Sequence, residues 1–265
     1  MQLEYLPLLQ LQRGLYRQPR GTQRFRDYLR TMIGEEGQDL RLPPLVAMNP
    51  MAREHVPELL DAYLELGADA VAENAVAQAA SELIDEPSQY QVGLVVSDDL
   101  KGGWTNRYAA EYGDCFGPRP RPSSLDSPRL HWLGALLWSS EPPSIAAVRE
   151  SILLTAFRAA YVSRQGVART LRERLAQEGW CRMRAGCQTP VYDAEEMEYT
   201  REVLAPHLDT EDMRTSIECL YGDTAGKTLG FTPRGLSHRA GLALALHDAR
   251  LSAAHSGRRQ LQPHH

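Results

Sequence analysis

Asp98 and Asp99 stand side by side directly after the strand-like run Tyr90 to Ser97, with Gly102-Gly103 close behind. Two adjacent carboxylates at a strand end have the chemistry to hold a divalent cation or to act as a general base, and the glycines permit a close approach or a hinge. The same pair also reads as an ordinary polar strand exit, cap or turn signal. His55 lies at an expected helix start, where an imidazole suits acid–base work at physiological pH, although a lone histidine also serves as a structural or solvated group. Trp104, Asn106 and Arg107 follow the aspartates on a glycine-flanked segment. An aromatic ring and an arginine there offer a stacking face and an anion clamp, or a core plug beside a surface charge. Glu141 closes Ser139-Ser140-Glu141 after a third apolar run. The expected site therefore has Asp98, Asp99 and His55 as catalytic groups. Asp98 and Asp99 double as ligands of a divalent cation, and Trp104, Asn106, Arg107 and Glu141 bind substrate.

These stretches meet only if the chain brings them to one rim. Leu42 to Met48, Tyr90 to Ser97 and Leu130 to Trp138 read as strands, and helices separate the first two, as in a parallel crossover. Ligands of open α/β sheets sit beyond the carboxyl ends of parallel strands, so the exits to inspect are Asn49 with Glu54-His55, Asp98-Asp99, and Ser139-Ser140-Glu141. Thr22 is an expected cap for a helix carrying Phe25, Tyr28, Leu29 and Met32, with Gly34 to Gly37 as its stop. Pro57 suits the first turn of a helix from about Val56, ended by Gly67. From Ser144 onward the spacing predicts helices alone. Val167, Leu171 and Leu175 mark one helix, Asp193 and Glu196 begin another, Asp209 or Thr210 caps a third, and Ser237 caps a last, buried one.

The fold class expected is α/β or α+β: a small sheet of about three strands in the N-terminal half, packed against a mainly helical C-terminal half. The expected parts are residues 1–141, with a long Gly/Pro-rich loop up to Arg129, then 142–255, then a polar tail 256–265 that ends in His264-His265. One continuous domain is the alternative.

Other motifs fail on spacing. Gly222-Asp223-Thr224-Ala225-Gly226-Lys227-Thr228 is one residue short of a phosphate-binding loop and follows a helical pattern instead of a strand, so Gly222 reads as a helix end. There is no H-E-x-x-H, no G-x-S-x-G and no G-x-G-x-x-G after a strand. Cys115, Cys181, Cys187 and Cys219 lack C-x-x-C spacing and read as free thiols, with a Cys181/Cys187 redox pair or half of a metal site as the remaining alternative.

Composition bounds the function classes. The 265 residues are 43% hydrophobic and 24% charged with a net charge of −5. That balance supplies no general attraction to nucleic acid or to anionic membranes. The N-terminus lacks the order of a signal peptide, no apolar run reaches a membrane span, and a cytoplasmic setting is expected. The cations are nearly all arginine, a bias that more often reports genome composition than function. Six arginines between Arg13 and Arg30 make one local basic stretch, a solvated face or a patch for an acidic partner. Two functions follow: a soluble enzyme acting on a small polar or anionic molecule, by metal-assisted or acid–base chemistry, or a noncatalytic binding or assembly protein that docks a protein partner on its helical surface.

Overall fold

The computed structural model describes residues 1–33, 40–100, 103–118 and 131–260, with side chains as far as residue 255. The expected stop at Gly34 to Gly37, Gly102, the segment 119–130 and the closing histidines lie outside the described residues. The chain divides into two compact units, Met1–Ala110 with Pro118–Ala160, and Glu111–Gly117 with Tyr161–His265.

The first unit is built on a parallel sheet of three strands, β1 (Gln2–Leu6), β2 (Gln89–Ser97) and β3 (His131–Trp138), in the order β1-β2-β3. β2 is central and buried from Val92 to Ser97, which explains why it reads as one apolar run without alternation. Two of the expected strands are present and the third is corrected. Pro43–Ala47 forms a short 3-10 turn, because two consecutive prolines lack the N–H that a ladder needs and suit the first positions of a helical turn. The third strand is instead the N-terminal Gln-Leu-Glu-Tyr-Leu, whose alternation fits an edge.

The 3-10 turn lies over the sheet. Gly93 and Gly134 are partners in the β2–β3 register, and Pro44 rests on both. A Cβ on Gly93 would come within 2.6 Å of Leu8 and 3.1 Å of Pro44, so the close approach requires glycine. Ser97 adds a hydrogen bond to the Ala47 carbonyl at 3.0 Å, which fastens the end of the turn to the end of β2. Beyond Leu6, where β1 stops, a side chain takes over the pairing. Gln12, fully buried on α1 (Leu9–Leu15), donates to the Val96 carbonyl at 2.7 Å and accepts from the Val96 N–H at 2.9 Å.

α2 (Thr22–Ile33) buries Tyr28 and Met32 as expected, but Thr22 lies within the helix rather than capping it. α3 (His55–Glu65) buries Val56, Leu60 and Tyr63, and Gly67 at φ 67° turns the chain into α4 (Ala68–Glu82), which packs on β1. α5 (Arg107–Asp114) precedes β3, and α6 (Ile145–Gln165) starts just after Pro142-Pro143 with Val148, Ile152 and Ala156 buried.

The described regular elements of the second unit are all helical: the ends of α5 and α6, then α7 (Leu171–Ala185), which starts beyond the expected Val167 at the Thr170 cap, α8 (Ala194–Leu204), α9 (Met213–Tyr221), α10 (Asp223–Thr228) and α11 (Ala240–Gln260). Thr170 and Glu173 form a reciprocal capping box on α7, and Asp193 accepts from the Glu196 N–H at 2.8 Å. α9 is capped by Asp212, not by Asp209 or Thr210, through a 2.8 Å bond from the Thr215 N–H. The Gly222–Thr228 string is the short helix α10 following α9, and a Cβ on Gly222, at φ 77°, would run into the Ser237 carbonyl. All four cysteines are free and buried. No helix among the described residues is long and apolar enough to cross a membrane.

Candidate functional site

The carboxyl ends of β2 and β3 lie next to one another, and the residues just past them interlock. Asp98 follows β2 directly and is only 2% exposed. Burying an ionised carboxylate is costly unless hydrogen-bond donors surround it, and here they do. Its Oδ2 accepts from Asn49 Nδ2 at 2.8 Å, while Oδ1 lies 2.9 Å from His55 Nε2, 3.0 Å from Ser139 Oγ and 3.3 Å from the Leu100 N–H.

Each donor has its own support. Asn49 follows the 3-10 turn and is itself buried; its Oδ1 accepts from the Met51 N–H at 3.0 Å and its carbonyl accepts from Tyr16 Oη at 2.6 Å. His55 is the first residue of α3, held by Val56, Pro57 and Leu60 in the core. Because a carboxylate can only accept, the bond to Asp98 places the imidazole proton on Nε2 when His55 is neutral. Nδ1 is then left with a free lone pair. The His55 side chain is 31% exposed, so it lies at the boundary between core and solvent.

Asp99 turns toward β3. Its Oδ1 accepts from the Ser140 N–H at 2.9 Å and lies 3.1 Å from Ser139 Oγ, and its Oδ2 accepts from Ser140 Oγ at 2.6 Å. Arg107, at the start of α5, reaches the same place: it pairs with Glu141, donates to Ser140 Oγ at 3.3 Å, comes within 3.9 Å of Asp99 Oδ2 and stacks 5.3 Å from the Trp138 ring centroid. The two aspartates thus share Ser139 while facing different partners, one an imidazole and the other a guanidinium.

Two phenols report the field of this cluster. Burial pushes the Tyr16 hydroxyl far above the ordinary phenol range, and the charge of Asp98 adds to the effect. Tyr63 is pushed up to about 12 by burial first and then by the charge of Glu141, and its buried hydroxyl has no hydrogen-bond partner among the described residues.

Of the residues expected from the sequence, Asp98, Asp99, His55, Arg107 and Glu141 are brought together, along with Asn49, Ser139 and Ser140. Asn106 is engaged locally, its Oδ1 accepting from the Ala109 N–H at 3.0 Å at the start of α5. Trp104 is 55% exposed, its ring steeply inclined to that of Phe25 with the centroids 6.3 Å apart. Among the described residues no group of three or more His, Cys, Asp or Glu side chains is arranged to hold a metal ion. The alternative basic patch is partly absorbed into the fold. Arg13 pairs with Asp61 through two bonds, 2.6 and 3.0 Å, and the buried Arg24 donates to the Gln18 carbonyl at 2.7 Å.

No family model, curated protein or solved structure matches the chain.

Sequence reasoning missed Gln12 and Tyr16, which come from α1 and the turn after it. Gln12 stands among leucines in Leu8-Leu9-Gln10-Leu11-Gln12, and a lone polar residue at a helix position that the neighbouring apolar spacing buries was the available signal.

Proposed function

We propose that this chain is an enzyme acting on a small polar or anionic molecule by general acid–base chemistry, with His55 as the group that takes and returns the proton. The observation that carries this reading is the Asp98–His55 pair. A buried carboxylate with four donors around it fixes the imidazole orientation and tautomer and directs the exchangeable site to Nδ1. When His55 takes a proton at Nδ1, the positive charge that develops is stabilised by Asp98 at 2.9 Å. Asp98 orients and stabilises; it does not itself exchange the proton.

Asp99, Ser139 and Ser140 hold the two strand exits in register, while Arg107 and Glu141 set opposite charges beside them where a polar substrate is oriented. Trp104 and Asn106 flank that place on the chain. The aspartate oxygens are already accepting from side-chain and backbone donors, which favours proton chemistry over a divalent cation at Asp98 and Asp99. We place the protein in the cytoplasm, where thiols such as its four free cysteines stay reduced.

The test is a substrate search with variants. The purified protein is incubated with a small-molecule extract and followed by mass spectrometry. At least one polar metabolite is consumed by the native chain, and its turnover falls by about 10²–10⁴-fold in His55→Ala, with a large loss also in Asp98→Asn. A search that finds nothing consumed, or a consumed species whose rate survives both substitutions in folded protein, rejects the proposal.

A further inference from the structure

The second unit contains a trough of about 580 Å³ formed by α7, α8 and α11, within the range of cavities that take small organic ligands. Its lining combines short residues where the helices meet, Gly179 on α7 with Ala245 on α11, and the larger side chains Trp180, Met183, Leu204 and Leu244. The two helices touch where Gly179 meets the Ala245 carbonyl, an approach that any Cβ at 179 would block. One end of the trough is fixed by main-chain bonds: Arg172 N–H to the Leu208 carbonyl at 2.8 Å and Leu171 N–H to the Thr210 carbonyl at 2.9 Å. These bonds use two amides that a helix start leaves without an internal acceptor, so the rim belongs to the same framework that caps α7.

The charges on the lining are unequal. Arg201 is matched within the trough by Asp248, through bonds of 3.0 and 2.9 Å. Arg172 pairs instead with Asp209, which is not part of the lining and is 84% exposed. An ion pair that open to solvent holds its arginine weakly, so the guanidinium is available to a competing anion at the mouth. The trough therefore offers a long apolar surface with one cationic end.

We propose that this trough binds a single-chain amphiphile with an anionic head, such as a medium-chain carboxylate. Its tail lies along Trp180, Met183, Leu204 and Leu244, and its carboxylate exchanges for Asp209 on Arg172. The inference is independent of the acid–base reading of the first unit.

The experiment measures binding of octanoate, decanoate and dodecanoate to the full chain by calorimetry, below their micelle concentrations, with dodecyltrimethylammonium as the cationic comparison. Affinity rises roughly fourfold per added methylene, as burial of the tail requires. Arg172→Gln weakens dodecanoate about tenfold, the effect of losing one charge-assisted contact. Ala253→Trp, an exposed lining position on α11, abolishes binding while leaving the melting temperature unchanged; Ala176→Trp, an exposed lining position on α7, provides a second block. Equal affinity for the cationic chain, no dependence on chain length, or binding that survives both blocking variants overturns the proposal. So does a concentration-dependent dimer that the blocking variants dissolve while the native chain shows no dodecanoate binding.

Discussion

Gln12 shows how much a single side chain carries here. β1 ends at Leu6 while β2 continues to Ser97, so the outer edge of β2 at Val96 would face the core with an unpaired N–H and C=O. The carboxamide of Gln12 satisfies both, acting as a piece of strand. Gln12→Leu keeps the volume and removes both bonds, and each orphaned group costs about 1–3 kcal/mol. Denaturant unfolding is expected to show that loss, and Gln12→Glu a loss as well, since a carboxylate cannot donate to the Val96 carbonyl. A Gln12→Leu protein as stable as the native one removes Gln12 from this role. His55 and Asp98 were legible because each stands at an element boundary, where polar residues gather whatever the sheet order. Asn49 was singled out as a strand exit and is in fact the exit of a turn. It reaches the site because the turn packs over Gly93 and Gly134 and is tied to the end of β2 by the bond from Ser97 to Ala47, two residues before Asn49. The hydrogen bonds among Asp98, Asn49, His55 and Ser139 join residues up to 49 positions apart in the chain, and no spacing rule encodes them.

At the scale of elements, the legible ones were those whose apolar pattern is long or whose ends carry a cap. β2 and β3 declare themselves by apolar runs, α8 by the acceptor Asp193 at its start, and α7 and α9 by their apolar spacing, the true cap of α9 at Asp212 being one of several acceptors crowded before it. The Leu42–Met48 run misleads because apolar content alone does not distinguish a strand from a buried turn; its two prolines decide against the ladder. The caps also set a pH dependence. Glu173 is held below the usual carboxylate range by the backbone N–H groups of Arg169 and then Thr170, and Asp212 by the N–H and then the hydroxyl of Thr215. A carboxyl group lowered on folding adds stability above its unfolded value, 4.5 for Glu173 and 3.8 for Asp212, and that stability is lost as pH falls through the lower folded value. Thr170→Ala and Asp212→Ala each are expected to cost about 1 kcal/mol at neutral pH. In thermal melts across pH, the Asp212→Ala deficit shrinks on acidification, as does that of Glu173→Ala, whereas the deficit of Thr170→Ala is less affected because its hydroxyl does not titrate. A deficit in Asp212→Ala that is constant down to acid pH contradicts the assignment of the cap.

The whole molecule distributes its cysteines unevenly, and this makes one unit separately observable. Cys115, Cys181, Cys187 and Cys219 all belong to the second unit, and each is fully buried. Cys115 donates toward the buried Glu178 at 3.4 Å and its carbonyl accepts from Gln177 at 2.6 Å, so the segment 111–117 is part of that unit's interior despite its distance along the chain. Arg174 completes the enclosure, its guanidinium 4.5 Å from the ring centroids of both Tyr112 and Phe116. Cys219 is pushed up to about 11, chiefly by burial, with Arg234 drawing it down and Glu218 raising it, so little thiolate exists even at mildly alkaline pH. Native protein is therefore expected to resist alkylation at all four thiols. Because the four are spread over the segment 111–117, α7, the turn after it and α9, they share one core and should become reactive together as denaturant rises. Pulsed alkylation read by intact mass is expected to show unlabelled and fourfold-labelled chains with few intermediates. In a Trp180→Phe background the remaining tryptophans, Trp104, Trp132 and Trp138, all belong to the first unit, and their fluorescence follows that unit in the same samples. Stepwise labelling, with Cys115 reacting ahead of the others, would detach the 111–117 segment from the cooperative core and require the second unit to begin at Tyr161.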